Sequence, residues 1–210
     1  QSLGEIAAAR IAGALDEETT ARLACLRGRI VERAAGQGAM AMVVSEPTPL
    51  ADRLAQWRGR IEIAGTTSPT SALIAGDREA IETFVAEAEA EHGFARLLDV
   101  DFASHCFHMD PLLSDFRTEL GTLASQPTQI PFYSTVDGGL REGEALNAEY
   151  WVRNLRAPVS FSQTLGRALD DGFHQIVEVS PHPTLARAVP EIAAHRGTEV
   201  SFVPSLLRDR

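Results

Sequence analysis

Cysteine is scarce in this chain, with two residues, Cys25 and Cys106, in 210. Two cysteines cannot staple a small secreted fold, so a disulfide framework is excluded and their context fits a reducing, cytoplasmic compartment. No apolar run approaches the roughly 18 residues that a membrane-spanning helix needs, so no membrane partner is expected. No clustered Lys/Arg stretch offsets the formal net charge of −10, which argues against nucleic acid as a partner. An acidic protein partner would need a local basic patch. Internal repeats and low-complexity tracts are absent. No signal peptide is visible, although a chain opening at Gln1 would hide one.

What is present is a 44% hydrophobic composition, enough for a packed core. Residues 5–15 and 17–34 read as two Ala/Leu/Arg-rich helices, with Gly13 at their junction and Asp16 capping the second. After Gly36 and Gly38 the rhythm changes. Residues 39–44, 61–64, 72–75 and 94–100 read as strands. Residues 48–57 and 78–92 read as helices, the latter amphipathic with Ile81, Phe84, Val85 and Ala88 on one face. The order β-α-β-β-α-β over 39–100 is a ferredoxin-like pattern. Beyond Val100, helices are expected over 111–124, 147–154, 159–171 and 184–195, and strands over 130–136, 175–179 and 200–204. Asp137-Gly138-Gly139 reads as a turn. Helices between successive strands suggest parallel βαβ units. The small unit therefore reads as inserted into an α/β domain.

Gln1-Ser2-Leu3-Gly4-Glu5 reads as the end of a G-x-S-x-G nucleophile elbow, which lifts a serine hydroxyl to a helix N-terminus. Taken alone it also fits a helix-capping serine. Four later segments accompany it: Leu26-Arg27-Gly28-Arg29; Phe102-Ala103-Ser104-His105; Tyr150 to Phe161, which reads Y-W-V-R-N-L-R-A-P-V-S-F; and Glu178 to Leu185. Alone, Arg27 fits a solvated helix arginine and His105 a satisfied core histidine. His105 and His108 have a spacing that can clamp zinc, but no further ligand pair is near, so no metal site is expected. Cys106 reads as structural.

In this order the segments resemble the acyltransferase domain of modular type I polyketide synthases and the related malonyl-CoA:acyl carrier protein transacylases, over essentially the whole chain. Pro131 to Val136 resembles the family's strand before its Y-W-x-x-N-L-R segment. The resemblance implies an α/β-hydrolase-like parallel-sheet core, incomplete in this chain, made of residues 1–38 and 101–210, with an inserted ferredoxin-like subdomain over 39–100. It implies that Ser2 attacks an acyl-CoA thioester with His105 as general base, and that the acyl group passes to the phosphopantetheine thiol of an acyl carrier protein. The family's histidine is oriented by backbone carbonyls, so no third acid is expected. Arg27 would hold the free carboxylate of a malonyl-type unit. Asn154 would help fix the site, and Gln1, Leu3, Phe102 and Ser104 would shape the pocket.

Phe102-Ala103-Ser104-His105 resembles the family's Y-A-S-H form, linked to methylmalonyl units, because Ser104 leaves room for an α-methyl group. Phe102 in place of Tyr, Leu3 after the nucleophile, and Gln1 in place of the usual His depart from the pattern. No bound cofactor is implied. The implied partners are the carrier protein, the ketosynthase and linker domains of the same synthase, and the acyltransferase segment that normally precedes the elbow, expected elsewhere in the polypeptide or in a partner segment. An α/β-class serine hydrolase or thioesterase, which needs an acid between serine and histidine in chain order, and an inactive structural fragment are the competing readings.

Overall fold

The structure, a computed structural model, describes residues 1–207; the last three residues of the expected 101–210 segment lie outside the described residues. Two helices open the chain, α1 (Gly4–Ile11) and α2 (Glu17–Glu32). The Asp16 side chain accepts from the Thr19 N–H at 2.7 Å and so caps α2, as its position predicts. The first helix is shorter than expected. It stops at Ile11, and Gly13 turns the chain at φ 89°, a conformation other residues reach only with strain.

The middle of the chain folds as its β-α-β-β-α-β order predicts. Strands β1 (Ala39–Val44), β2 (Ile61–Ser68), β3 (Ser71–Gly76) and β4 (Phe94–Leu97) form one antiparallel sheet in the order β2-β3-β1-β4. With helices α3 (Pro47–Leu54) and α4 (Arg78–Ala90), this is the ferredoxin-like arrangement. Side chains alternate across the pleat, so the sheet presents two apolar faces. Ala41 and Val43 of β1, with Ile74 of β3, pack under Phe84 and Ile81 of α4. Met40 and Ala75 point the other way, onto Ala103 and Cys106 of the segment that follows the sheet. Each large side chain buried in this way contributes about 1.5–3 kcal/mol.

The chain leaves and re-enters the sheet at adjacent points, where the Gly36 N–H donates to the Asp101 carbonyl at 2.6 Å. Helices α5 (Leu113–Leu120) and α6 (Ala148–Arg156) then pack with α1 and α2 around Ile6, Leu26, Ile30, Phe116, Tyr150 and Trp151. Further on come α7 (Phe161–Asp170) and α8 (Ala188–His195). Strands β7 (Gln175–Glu178) and β8 (Ser201–Pro204) pair in parallel across α8, the βαβ unit expected there.

Several expectations needed correction. The strand expected over 130–136 shrinks to β5 (Phe132–Ser134). It pairs antiparallel with an unexpected β6 (Gly139–Arg141), because the Asp137-Gly138-Gly139 turn closes a hairpin. The helix expected from 111 is a 3₁₀ segment, Phe107–Leu112, that runs into α5, and Gly121 ends it before 124. The last helix begins at Ala188 instead of 184, since Glu178 takes up the Thr184 and Leu185 N–H groups. Strand β4 ends at Leu97.

One close approach couples the sheet to the rest of the molecule. Gly65 of β2 bridges Val159, the Thr66 N–H donates to the Val159 carbonyl at 2.9 Å, and the Val159 N–H donates to Ala64 at 2.8 Å. A side chain at Gly65 would meet the Val159 carbonyl oxygen at 2.8 Å. The segment held here, between α6 and α7, supplies a carbonyl to the site.

Candidate active site

Ser2 and His105 stand 103 positions apart in sequence, and the fold joins them. Ser2 Oγ lies 2.8 Å from His105 Nε2. Both residues are in the left-handed backbone region, Ser2 at φ 50° and His105 at φ 59°. For residues with side chains this costs about 1–3 kcal/mol each. Ser2 sits on the turn into α1, where the Gly4 N–H donates to Gln1 and the Glu5 N–H donates to Ser2. His105 is fixed twice by the end of α6: its N–H donates to Leu155 at 3.3 Å, and Nδ1 lies 2.8 Å from the Ala157 carbonyl.

Arg27 completes the group. It is 6% exposed on α2, and its Nη2 donates to Ser2 Oγ at 2.8 Å. One proton arrangement satisfies every contact. Nδ1 carries the ring proton and donates to Ala157, Nε2 is bare and accepts from the Ser2 hydroxyl, and the serine oxygen accepts from Arg27. The electrostatics agree. Burial first, then the Arg27 charge, pushes His105 down to about 4 against the pull of the Ala157 carbonyl. The imidazole is therefore an unprotonated base near neutral pH. Burial also lowers Arg27, to about 10, with the Glu5 charge opposing that shift, so the guanidinium stays cationic.

Beside these groups lies a cavity of about 230 Å³ lined by Ser2, Leu3, Arg27, Gly28, Val31, Phe102 and Ser104. Apart from the nucleophile and the guanidinium its walls are mostly apolar. Ser104 turns its hydroxyl to the Met40 sulfur at 3.5 Å and leaves the space beside it open. The buried Arg27 Nε has no hydrogen-bond partner among the described residues. A larger cleft, about 600 Å³, lies between Thr66 and Ser68 on one side and His195 and Arg196 on the other. It holds no nucleophile paired with a base, so the smaller cavity is where the chemistry can occur.

Of the residues singled out in the sequence, Ser2, His105, Arg27, Leu3, Phe102 and Ser104 converge here. Gln1 is exposed next to the elbow and does not line the cavity. Asn154 is 2% exposed behind the elbow, its Nδ2 2.8 Å from Glu5 Oε2 and 3.5 Å from the Ser2 carbonyl. His108 pairs with Asp77 at 3.0 Å, away from His105. Among the described residues no group of three His, Cys, Asp or Glu could hold a metal. No helix of the described residues is long and apolar enough to cross a membrane. Cys106 is buried, and burial pushes its thiol up to about 11.

Three residues were missed. Val31 and Gly28 line the cavity, and their spacing from Arg27 along one helix held the signal for Val31, since residues four apart share a face. Glu5 is buried under the elbow with four hydrogen bonds, and its place in the elbow motif carries no sign of that burial.

A family model described as "Acyl transferase domain" matches residues 1–210. The chain is 40% identical over 209 residues to the erythronolide synthase EryA2 of Saccharopolyspora erythraea, covering 100% of this chain and 6% of that protein. It is 41% identical over 208 residues to the spectinabilin polyketide synthase system protein NorC of Streptomyces orinoci, covering 99% of this chain and 9% of that protein. Among solved structures, the acyltransferase domain from module 8 of the salinomycin polyketide synthase superposes with a TM-score of 0.97 at 34% identity, covering 100% of this chain and 50% of that one. The chain thus spans a small part of the curated relatives it matches.

Proposed function

Since the chain belongs to the acyl transferase domain family, we propose that it moves an acyl unit from coenzyme A, through an ester on Ser2, to the phosphopantetheine thiol of an acyl carrier protein in polyketide synthesis. The observation that carries this reading is the Ser2 oxygen held at 2.8 Å by both a neutral histidine and a buried arginine. Ser2 Oγ attacks the thioester carbonyl as its proton passes to His105 Nε2. The resulting imidazolium keeps its Nδ1–H on the Ala157 carbonyl. A backbone N–H at the start of α1 would stabilise the developing oxyanion. Collapse expels the coenzyme A thiolate, which takes the proton from Nε2. The carrier thiol then gives its proton to His105 and attacks the ester, and Ser2 Oγ leaves and recovers a proton.

Arg27 explains why a dicarboxylic unit fits. A carboxylate in the cavity would take the donors now shared between Ser2 and the unpaired Nε, forming a bidentate charge-assisted pair out of water. Ser104, and the apolar walls from Leu3, Val31 and Phe102, favour a methylmalonyl unit over a malonyl one. A single methyl group is worth about 1–3 kcal/mol, so the preference is real and imperfect. Asn154 braces the elbow from behind, and Gln1 flanks it. No resident cofactor enters this scheme. Residues 1–38 and 101–210 would act as the catalytic core and 39–100 as a subdomain backing the pocket, within a cytoplasmic synthase that also supplies ketosynthase and linker domains.

Intact-mass measurement of the full-length protein after incubation with malonyl-CoA or methylmalonyl-CoA tests the reading. An adduct of the acyl mass is expected, larger in yield with methylmalonyl-CoA, absent in Ser2→Ala, and cleared by holo-carrier protein. Rapid release to water at a rate the carrier protein does not change would defeat it in favour of a hydrolase. Ser104→Phe should reverse the order of the two substrates.

A further inference from the structure

The scheme leaves one strongly placed group unused, the carboxylate of Glu5. It lies three residues after Ser2, on the first turn of α1, and is 2% exposed. Oε1 accepts from the Thr135 N–H at 2.6 Å and the Thr135 hydroxyl at 2.5 Å. Oε2 accepts from the Tyr150 hydroxyl at 2.6 Å and from Asn154 Nδ2 at 2.8 Å. An acid at a helix N-terminus usually faces water and gains a little from the helix dipole. Burial with four donors from 130 to 149 residues away is a different situation.

Two consequences reach the nucleophile. Among the described residues Asn154 Oδ1 has no partner, so its amide is oriented by Nδ2 alone. A flipped amide would set an acceptor against the carboxylate, so Glu5 decides which atom of Asn154 faces the Ser2 carbonyl. Glu5 is also the anion that acts on Arg27 from within the protein. Burial, with the Glu5 charge, pushes the Tyr150 phenol upward, so that hydroxyl keeps its proton and stays a donor.

We propose that Glu5 is a positioning residue for acyl transfer: it holds the turn carrying Ser2 in register with Asn154 and α6. This inference rests on the acyltransferase reading.

The test is rapid-quench acylation of Ser2 in the full-length protein, with malonyl-CoA and with acetyl-CoA, comparing wild type with Glu5→Gln. Misplacing the nucleophile should lower the acylation rate constant for both thioesters, by about tenfold or more. KM for both thioesters should stay within about twofold, because Glu5 does not line the cavity. A purely structural role would lower the burst amplitude, the fraction of folded protein, and leave the acylation rate constant of that fraction in place. Unchanged rate constants would overturn the proposal. Absence of acylation in the wild type would instead overturn the acyltransferase reading. Should Glu5→Gln fail to fold, Tyr150→Phe keeps the ring and removes one donor from Oε2; acylation slowed by about threefold is expected, and wild-type rates would sink the inference.

Discussion

Glu5 and Glu178 are the two glutamates buried among the described residues, and each carboxylate lies within reach of four donors. Glu178 Oε1 receives the Thr184 N–H and hydroxyl at 2.9 Å each and the Ser180 hydroxyl at 3.1 Å, and Oε2 receives the Leu185 N–H at 3.0 Å. All of these come from the next seven residues of its own loop. The donors to Glu5 come from Thr135, the residue after β5, and from Tyr150 and Asn154 of α6. A carboxylate satisfied locally shapes a loop. One satisfied across the fold ties three parts of the molecule together, and here the tie passes beneath the serine. Similar hydrogen-bond counts therefore carry different consequences, set by sequence separation and by the presence of a cation. The Glu5 charge acts on Arg27 without an ion pair, and no cation contributes to the shift of Glu178.

The sharpest way to break this comparison is truncation. Glu5→Ala strands four buried donors and should cost about 3 kcal/mol or more of folding stability, read from urea unfolding. Glu178→Ala leaves its donors near solvent, so a cost of about 1–3 kcal/mol is expected with Ser2 acylation at the wild-type rate. Equal costs, or an acylation defect in the Glu178 variant, would erase the distinction.

The cation supplies a second test. Removing Arg27 takes away a charge that opposes protonation of His105, so the His105 pKa must rise from about 4 toward its ordinary value of about 6.5. The acid limb of acetyl-CoA acylation should accordingly move to higher pH in Arg27→Ala and stay in place in Glu178→Gln. A limb that stays near pH 4 in Arg27→Ala would show that burial alone sets the histidine.

The smallest effect concerns acid stability. Burial works to raise the Glu178 pKa, but the Thr184 and Leu185 N–H groups outweigh it and hold the carboxylate below the usual range. A carboxylate depressed on folding contributes stability above its unfolded value of about 4.3, and that stability is lost as pH falls through the folded value. Glu178→Gln should flatten the decline of the melting temperature in that acid window. A slope as steep as that of the wild type would remove Glu178 from the account.

The same contrast explains what could be read from the sequence. Ser2, Arg27 and His105 each stand in a short local motif, so the chain announces them, and short apolar runs do the same for β1 and β3. Glu5 stands in such a motif too, yet its role depends on Thr135, Tyr150 and Asn154 arriving from far away, and no local pattern carries that. The β5–β6 hairpin lay within reach, since Asp137-Gly138 is a hairpin turn signal; strand 130–136 was read too long because its apolar residues at the N-terminal end lack a pairing partner. The late start of α8 follows from Glu178 claiming the N–H groups of the residues expected to begin it.

The contact between Ser104 and Met40 has a bearing on redesign. The pocket wall at 104 is backed by the second strand face of the ferredoxin-like sheet, and Ala103 and Cys106 are pressed onto that same face. A short graft of residues 102–105 would exchange the visible side chains while leaving the surface they lean on unchanged. Transplanting a substrate preference between relatives therefore calls for moving β1 together with the 102–105 segment as one recombination unit.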